Sequence, residues 1–247
     1  MKNFFFHLIL PFTLLAQDAQ IVEPLDLIDM PTAGTLMRGS FRAQLRAYAG
    51  GGLLGGLEVG VTDRFMFGIT YGGTNLIGRG PVDWNPQVGA TVRYRLFEED
   101  YNLPAITFGY NSQGYGAYID SLERFPNKSL GIFAVLSKNY ELLGNFGIHG
   151  GINYSFEHKD GDKDLNFFVG IDKSLNPELS LTAEYDFAVN DNDGNSVGIG
   201  KGYLNTALRW IFAGRLQIDF ILKNILLNSE KFSSIAREIK ITYVEIF

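Results

Sequence analysis

The chain has 247 residues, of which 46% are hydrophobic, 14% aromatic and only 19% charged, with 29 glycines. That length is ample for one substantial domain, and the mixture suits a β-rich protein with limited water-facing surface. The absence of cysteine excludes disulfides, thiolate metal sites, cysteine nucleophiles and a lipid-modified amino-terminal cysteine, and the net charge of -6 argues against nucleic acid as a partner.

The opening MKNFFFHLILPFTLLAQDAQ carries Lys2, an apolar run from Phe4 to Leu15 and small residues at Ala16 and Ala19. It predicts a secretory signal peptide over 1–16, with cleavage as late as 19. His7 and Pro11 interrupt the run, which falls short of the roughly 20 residues a membrane helix needs. Residues 17–35 are then expected as a periplasmic amino-terminal segment. Within it, EPLDLIDMPTAG (23–34) is the nearest candidate to plug whatever interior follows.

From residue 36 onward the chain alternates every second residue, the period of a sheet that is apolar on one face and polar on the other. FRAQLRAY (41–48) sets Phe41, Ala43, Leu45 and Ala47 against Arg42, Gln44 and Arg46. The pattern predicts strands over 41–48, 53–61, 64–72, 88–96, 104–112, 129–139, 147–156, 165–172, 179–187, 203–210, 216–223 and 238–243. That is about twelve, an even number typical of bacterial membrane barrels. Residues 129–139, SLGIFAVLSKN, are apolar on both faces, so their orientation stays open.

A soluble lipocalin-like barrel has the same period with its apolar face inward. The connections favour the membrane alternative: from the second strand onward short turns such as VTDR (61–64), SLNPE (174–178) and AGR (213–215) alternate with long loops such as 74–86, 112–128 and 188–202. Outer-membrane barrels arrange their periplasmic turns and extracellular loops this way. Tyr71, Tyr110, Tyr154 and Tyr185 sit near the last turn of alternate strands and are expected to form an outer aromatic girdle. Trp210 belongs to a second aromatic band near the short turns, with Phe65, Tyr94, Phe146, Phe212 and Tyr243.

The polar face carries Arg42, Arg46, Arg93, Arg95, Arg209, Lys223 and Lys240 together with Glu58, Asp172, Glu184, Asp186, Asp219 and Glu238. Facing lipid, such charges would be very costly, so they are expected to line the lumen. Much of the basic set comes from the first and fourth strands, and Asp172, Glu184 and Asp186 come from the eighth and ninth. Opposed walls of this kind predict a transverse field across a wet interior. The alternative is a lumen closed by ion pairs between those walls. Glycines at 56, 60, 68 and 72 on the lumen face leave room for something to pack inside.

Chemistry-bearing motifs are sparse. His149 shares its face with Asn153 and Ser155, and two residues on stands Gly151, where a barrel lipid hydrolase needs its serine. The expectation is a hydrogen-bonded lumen histidine. GNSVGIGKG (194–202) lacks the spacing of a phosphate loop and the hydroxyl residue after Lys201. KDGDKD (159–164) and NDNDGN (190–195) lack the glycine and glutamate of a calcium loop and are expected as solvated outer loops, loose calcium binding being the other option. No cofactor, metal or catalytic residue is expected.

Residues 36–247 resemble bacterial outer-membrane β-barrels, on the signal peptide, strand number, loop alternation and closing strand. Ile239, Ile241, Tyr243 and Phe247 share one face, similar to the carboxy-terminal signal read by the outer-membrane assembly machinery; Glu245 departs from it, that position being normally apolar. The resemblance implies an all-β fold, a single transmembrane antiparallel barrel in the bacterial outer membrane, with outer-membrane lipid and the assembly machinery as partners. LIDMPTAGTLMRGSF (27–41) and GVTDRFMFGITYGG (60–73) also look like YjbH-like barrels associated with exopolysaccharide production, which implies polysaccharide-export components as partners. The expected function is a channel or export-associated barrel for small polar solutes or surface polysaccharide. A non-conducting structural envelope protein is the alternative, followed by an outer-membrane lipid hydrolase.

Overall fold

A computed structural model describes residues 23–229 and 234–247; the expected signal peptide lies outside them. The two-residue alternation resolves into β1 (Ser40–Tyr48), β2 (Gly52–Thr62), β3 (Phe65–Thr74), β4 (Asp83–Trp84), β5 (Gly89–Phe97), β6 (Ala105–Asn111), β7 (Gly131–Glu141), β8 (Asn145–Tyr154), β9 (Asn166–Ser174), β10 (Leu179–Asp186), β11 (Tyr203–Phe212), β12 (Leu216–Lys223) and β13 (Ala236–Ile246). Every pairing is antiparallel. β1 pairs with both β2 and β13, so the sheet closes on itself, while β4 is a two-residue ribbon on β3 outside the ring. The wall is therefore a closed barrel of twelve strands.

The barrel is inside out relative to a soluble one. Leu45, Phe67, Ile69, Phe108, Leu136, Val169, Leu181, Phe220 and Ile239 are exposed on the outer face, and Arg42, Arg46, Glu58, Arg93, Glu184, Arg209 and Asp219 are buried within. An apolar belt of this kind is stable only in hydrocarbon, and a closed ring leaves no strand edge unpaired there. Turns at 63–64, 98–104, 142–144, 175–178 and 213–215 mark the periplasmic end; the opposite end carries the longer loops.

Residues 24–36 lie inside the barrel as a finger inserted from the periplasmic end. The finger turns sharply at Leu27–Met30, where the Leu27 amide donates to the Met30 carbonyl at 2.9 Å, and its two limbs are tied by Thr32 N to Leu25 O at 3.0 Å. Thr35 Oγ1 donates to Asp63 O at 3.0 Å, fixing the base at a periplasmic turn. Three apolar contacts seat it: Met30 and Ala33 against Ala105, Phe133, Val135 and Phe168; Leu25 and Leu36 against Met66; and Ile28 against Ala207 and Ile221. This explains why 129–139 reads as apolar on both faces: Ile132 and Leu136 face outward, while Phe133 and Val135 face the finger.

Close approach of finger and wall depends on glycine at two places. A Cβ at Gly170 would stand 2.3 Å from Leu27 Cδ1, and one at Gly60 would stand 2.1 Å from Met37 O. Of the four lumen-face glycines, only Gly60 makes room for the leading segment. At 56, 68 and 72 the space is taken by wall atoms, namely Gln44, Glu58 and the Leu53 carbonyl.

The outer loops are not simply solvated. Arg124, wholly buried, meets Asp160 at 2.5 Å and Asp191 at 2.6 Å, and Lys128 meets Asp160 at 2.7 Å. The acidic stretches at 159–164 and 190–195 thus supply buried partners that bind three loops into a lid. Among the described residues no group of His, Cys, Asp or Glu is arranged to hold a metal ion.

Candidate functional site: the charged interior and its finger

The strand register builds rows of opposite charge across the wall. Arg42 faces Glu58 across β1 and β2, Arg209 faces Asp219 across β11 and β12, and Asp219 faces Lys240 across β12 and β13. The corresponding contacts are 2.5 Å for Arg42 Nε to Glu58, 2.9 Å for Arg209 Nε to Asp219 and 3.4 Å for Lys240 Nζ to Asp219. Arg46 reaches Glu238 at 2.5 Å.

Wall acids do not neutralise this basic side alone. Asp26 of the finger stands between Arg42 at 2.7 Å and Arg93 at 2.5 Å. Asp29, at the tip, stands between Arg46 at 2.8 Å and Lys223 at 2.5 Å. Arg95 pairs with Glu23 and donates through Nε to Ala33 O at 3.1 Å. The expectation of a wet lumen with facing basic and acidic walls is corrected here: Arg42, Arg46, Arg93 and Arg95 meet carboxylates of the finger or of neighbouring strands, never Asp172, Glu184 or Asp186.

Those three acids have other work. Glu184 accepts the amides of Ile28, Asp29 and Met30 at 2.9–3.1 Å, and Asn205 Nδ2 at 2.8 Å. Asp186 accepts Asn166 Nδ2 at 2.7 Å and the Ala188 amide at 2.9 Å. Asp172 holds His149 Nε2 at 2.8 Å, while His149 Nδ1 meets Ser137 Oγ at 2.7 Å. The register Ser137↔His149 brings those two together, a cross-strand neighbour that a search along one strand misses. Ser137 Oγ also accepts the Ala33 amide at 2.8 Å and is buried beneath it, so the Ser137–His149–Asp172 chain anchors the finger.

Near the outer mouth the loop 112–130 folds inward. Tyr115 lies over Arg46 with 4.4 Å from guanidinium carbon to ring centroid, and over Lys223 at 5.0 Å. A cavity beside Arg46, lined by Tyr48, Gln113, Tyr115 and Glu238, measures about 10 Å³, room for one water.

The expected girdle tyrosines all lie on the lipid-facing side. Tyr71 stacks on Trp84 at 5.6 Å, Tyr110 and Tyr154 approach Phe156 at 6.3 and 5.9 Å, and Tyr185 meets Phe187 at 4.9 Å. At the periplasmic end Trp210 packs on Phe212 at 6.2 Å. Ile239, Ile241 and Tyr243 are exposed on the outer face of β13, and Phe247 joins them, 5.2 Å from the ring of Phe41 with its amide on Gly39 O at 2.8 Å. The departure at Glu245 has a local partner set: Arg215 Nη1 donates to it at 2.7 Å and so does the Tyr243 hydroxyl.

No family model and no curated protein matches the chain. Among solved structures it is similar to the KdgM porin, with 9% identity over 83% of this chain and 98% of that one and a TM-score of 0.51. It is also similar to the NanC porin (11%, 84% and 99%, 0.44) and to Omp33 of Acinetobacter baumannii (11%, 84% and 97%, 0.45). At such identity the likeness to the KdgM porin concerns architecture. Together with the apolar belt and the closed ring, it makes this chain an outer-membrane β-barrel. The resemblance to YjbH-like barrels finds no support in these comparisons.

Proposed function

We propose that this protein is an outer-membrane channel for small polar solutes, closed in this conformation by its own residues 24–36, and that it catalyses no reaction. The observation carrying this reading is where the neutralising charge sits. Asp26 and Asp29 belong to a segment tied to the wall by side-chain contacts and not by strand pairing, so it can leave without opening the barrel. A purely structural barrel has no use for compensating charge on a removable element. Withdrawal would expose Arg42, Arg93, Arg46 and Lys223 together, and a wet lumen so lined favours anions. The porin likeness fits this reading.

A non-conducting structural role is the second reading, favoured by the number of ion pairs inside. Single-channel recording separates the two. Full-length protein carrying Asp26→Asn and Asp29→Asn, checked for heat-modifiable migration as a folded barrel, is expected to show anion-selective conductance well above that of the wild type. Silence in both forms would favour the structural role.

A further inference from the structure

We infer that the barrel interior is a binding site for an acidic peptide, of which residues 24–36 are the built-in occupant. The inference depends on the channel reading only for the route by which such a peptide arrives.

The wall recognises three kinds of atom in the finger. Two carboxylates three residues apart, Asp26 and Asp29, each sit between two cations. Four successive carbonyls are also met: Leu25 O by Arg93 Nη1 at 2.5 Å, Asp26 O and Leu27 O by Arg209 Nη2 at 3.1 and 2.6 Å, and Ile28 O by Lys240 Nζ at 3.3 Å. Glu184, finally, takes three successive amides at the tip.

The Glu184 contacts decide the ligand class. A buried carboxylate opposes a simple anion and is satisfied only by N–H or O–H donors. Three consecutive amides converge on one carboxylate because the chain turns there, the concave arrangement by which backbone amides hold an anion. Cations matched to side-chain carboxylates and carbonyls, plus a carboxylate matched to amides, describe a peptide backbone with acidic side chains. Apolar sockets complete the match: Leu27 lies over Gly170, and Ile28 meets Ala207 and Ile221. These contacts come from wall residues on β1, β5 and β9–β13. An untethered peptide with two aspartates three apart and apolar residues between them could make all of them.

The test uses full-length protein in detergent, with Asp26→Asn and Asp29→Asn to loosen its own finger, and a fluorescein-labelled peptide with the sequence of residues 23–36. Fluorescence anisotropy should show saturable binding to the variant and little to the wild type, whose site is filled. The same peptide with both aspartates replaced by asparagine should compete roughly 100-fold less well, as expected when paired charges are removed from a desolvated site. Glutarate, a dicarboxylate without amides, should compete poorly. Adding Glu184→Gln to the variant should weaken the peptide, and should strengthen glutarate if it moves glutarate at all, because the carboxylate that opposes an anion is gone.

Displacement by glutarate as effective as by peptide would overturn the proposal, as would equal binding of the asparagine peptide or no binding to a heat-modifiable variant. If the double variant does not assemble, Asp29→Asn alone is tested against the same outcomes. Conductance is read separately. Peptide binding to a silent barrel defeats only the channel reading, and conductance without peptide binding defeats only this one.

Discussion

Arg46 shows how much one side chain holds here. Its guanidinium meets Asp29 at 2.8 Å and Glu238 at 2.5 Å, and Tyr115 covers its face. Removing a buried charge leaves its partners unpaired, and breaking such a pair costs about 3–5 kcal/mol. Arg46→Ala should therefore lower the denaturation midpoint of the barrel in detergent clearly more than Arg64→Ala, whose pair with Glu98 at 3.2 Å is half exposed. Equal shifts would show that the interior pairs are as weak as surface ones.

Glu157, in the outer loop after β8, behaves differently. Burial pushes its carboxyl up to about 7, although the amides of Phe125 and Ser129 donate to it and partly oppose the rise. A carboxyl raised from its ordinary value of 4.5 costs no stability at low pH. Its penalty grows as pH climbs from 4.5 to about 7 and is fully present above that. Glu157→Gln should accordingly flatten the pH dependence of lid opening across that window, seen as slower hydrogen exchange in residues 124–130 at pH 8 than in the wild type.

Among the elements, the strands are the most legible part of the sequence, because a period of two sustained along a whole segment belongs to a sheet with one apolar face and to no helix. FRAQLRAY alone assigns Arg42 and Arg46 to one face, and the register then fixes Glu58 opposite Arg42. The finger is legible only as a candidate, since its partners are distant: Asp29 meets Lys223 from another strand, and nothing local in EPLDLIDMPTAG names that cation. The lid escapes a local reading for the same reason. NDNDGN looks like a solvated loop until Arg124, 67 positions away, supplies the charge that Asp191 needs.

β13 carries an element-scale prediction. Phe247 is 84% exposed and touches Phe41, so its burial adds little to the folded barrel. If Ile239, Ile241, Tyr243 and Phe247 are read together by the assembly machinery, deleting Phe247 should lower the membrane yield while the barrel that does assemble melts within about 1 kcal/mol of the wild type. Glu245→Leu should leave assembly unchanged or improved, at the structural cost of the Arg215 pair and the hydrogen bond from the Tyr243 hydroxyl. Unchanged yield without Phe247 would remove the signal from that residue.

For the whole molecule, closure occurs at two levels along one path. From the periplasmic side the finger fills the middle of the barrel, and from outside the lid tied by Arg124, Asp160 and Asp191 brings Tyr115 down onto Arg46 and Lys223. Barriers in series add as resistances, so the larger one sets the current. Asp26→Asn with Asp29→Asn should open a conductance well above that of the wild type but short of the full one, because the lid remains and Tyr115 still covers the same cations. Arg124→Ala alone should open almost none, since the finger stays paired with four wall cations. The three changes together should then give a conductance several times that of the finger variant. Their effects would exceed additivity, the signature of sites coupled through shared partners, here Arg46 and Lys223, which touch both the finger and Tyr115. If Arg124→Ala by itself gave the full conductance, the finger would be no barrier at all, and the path would be governed from the outer mouth.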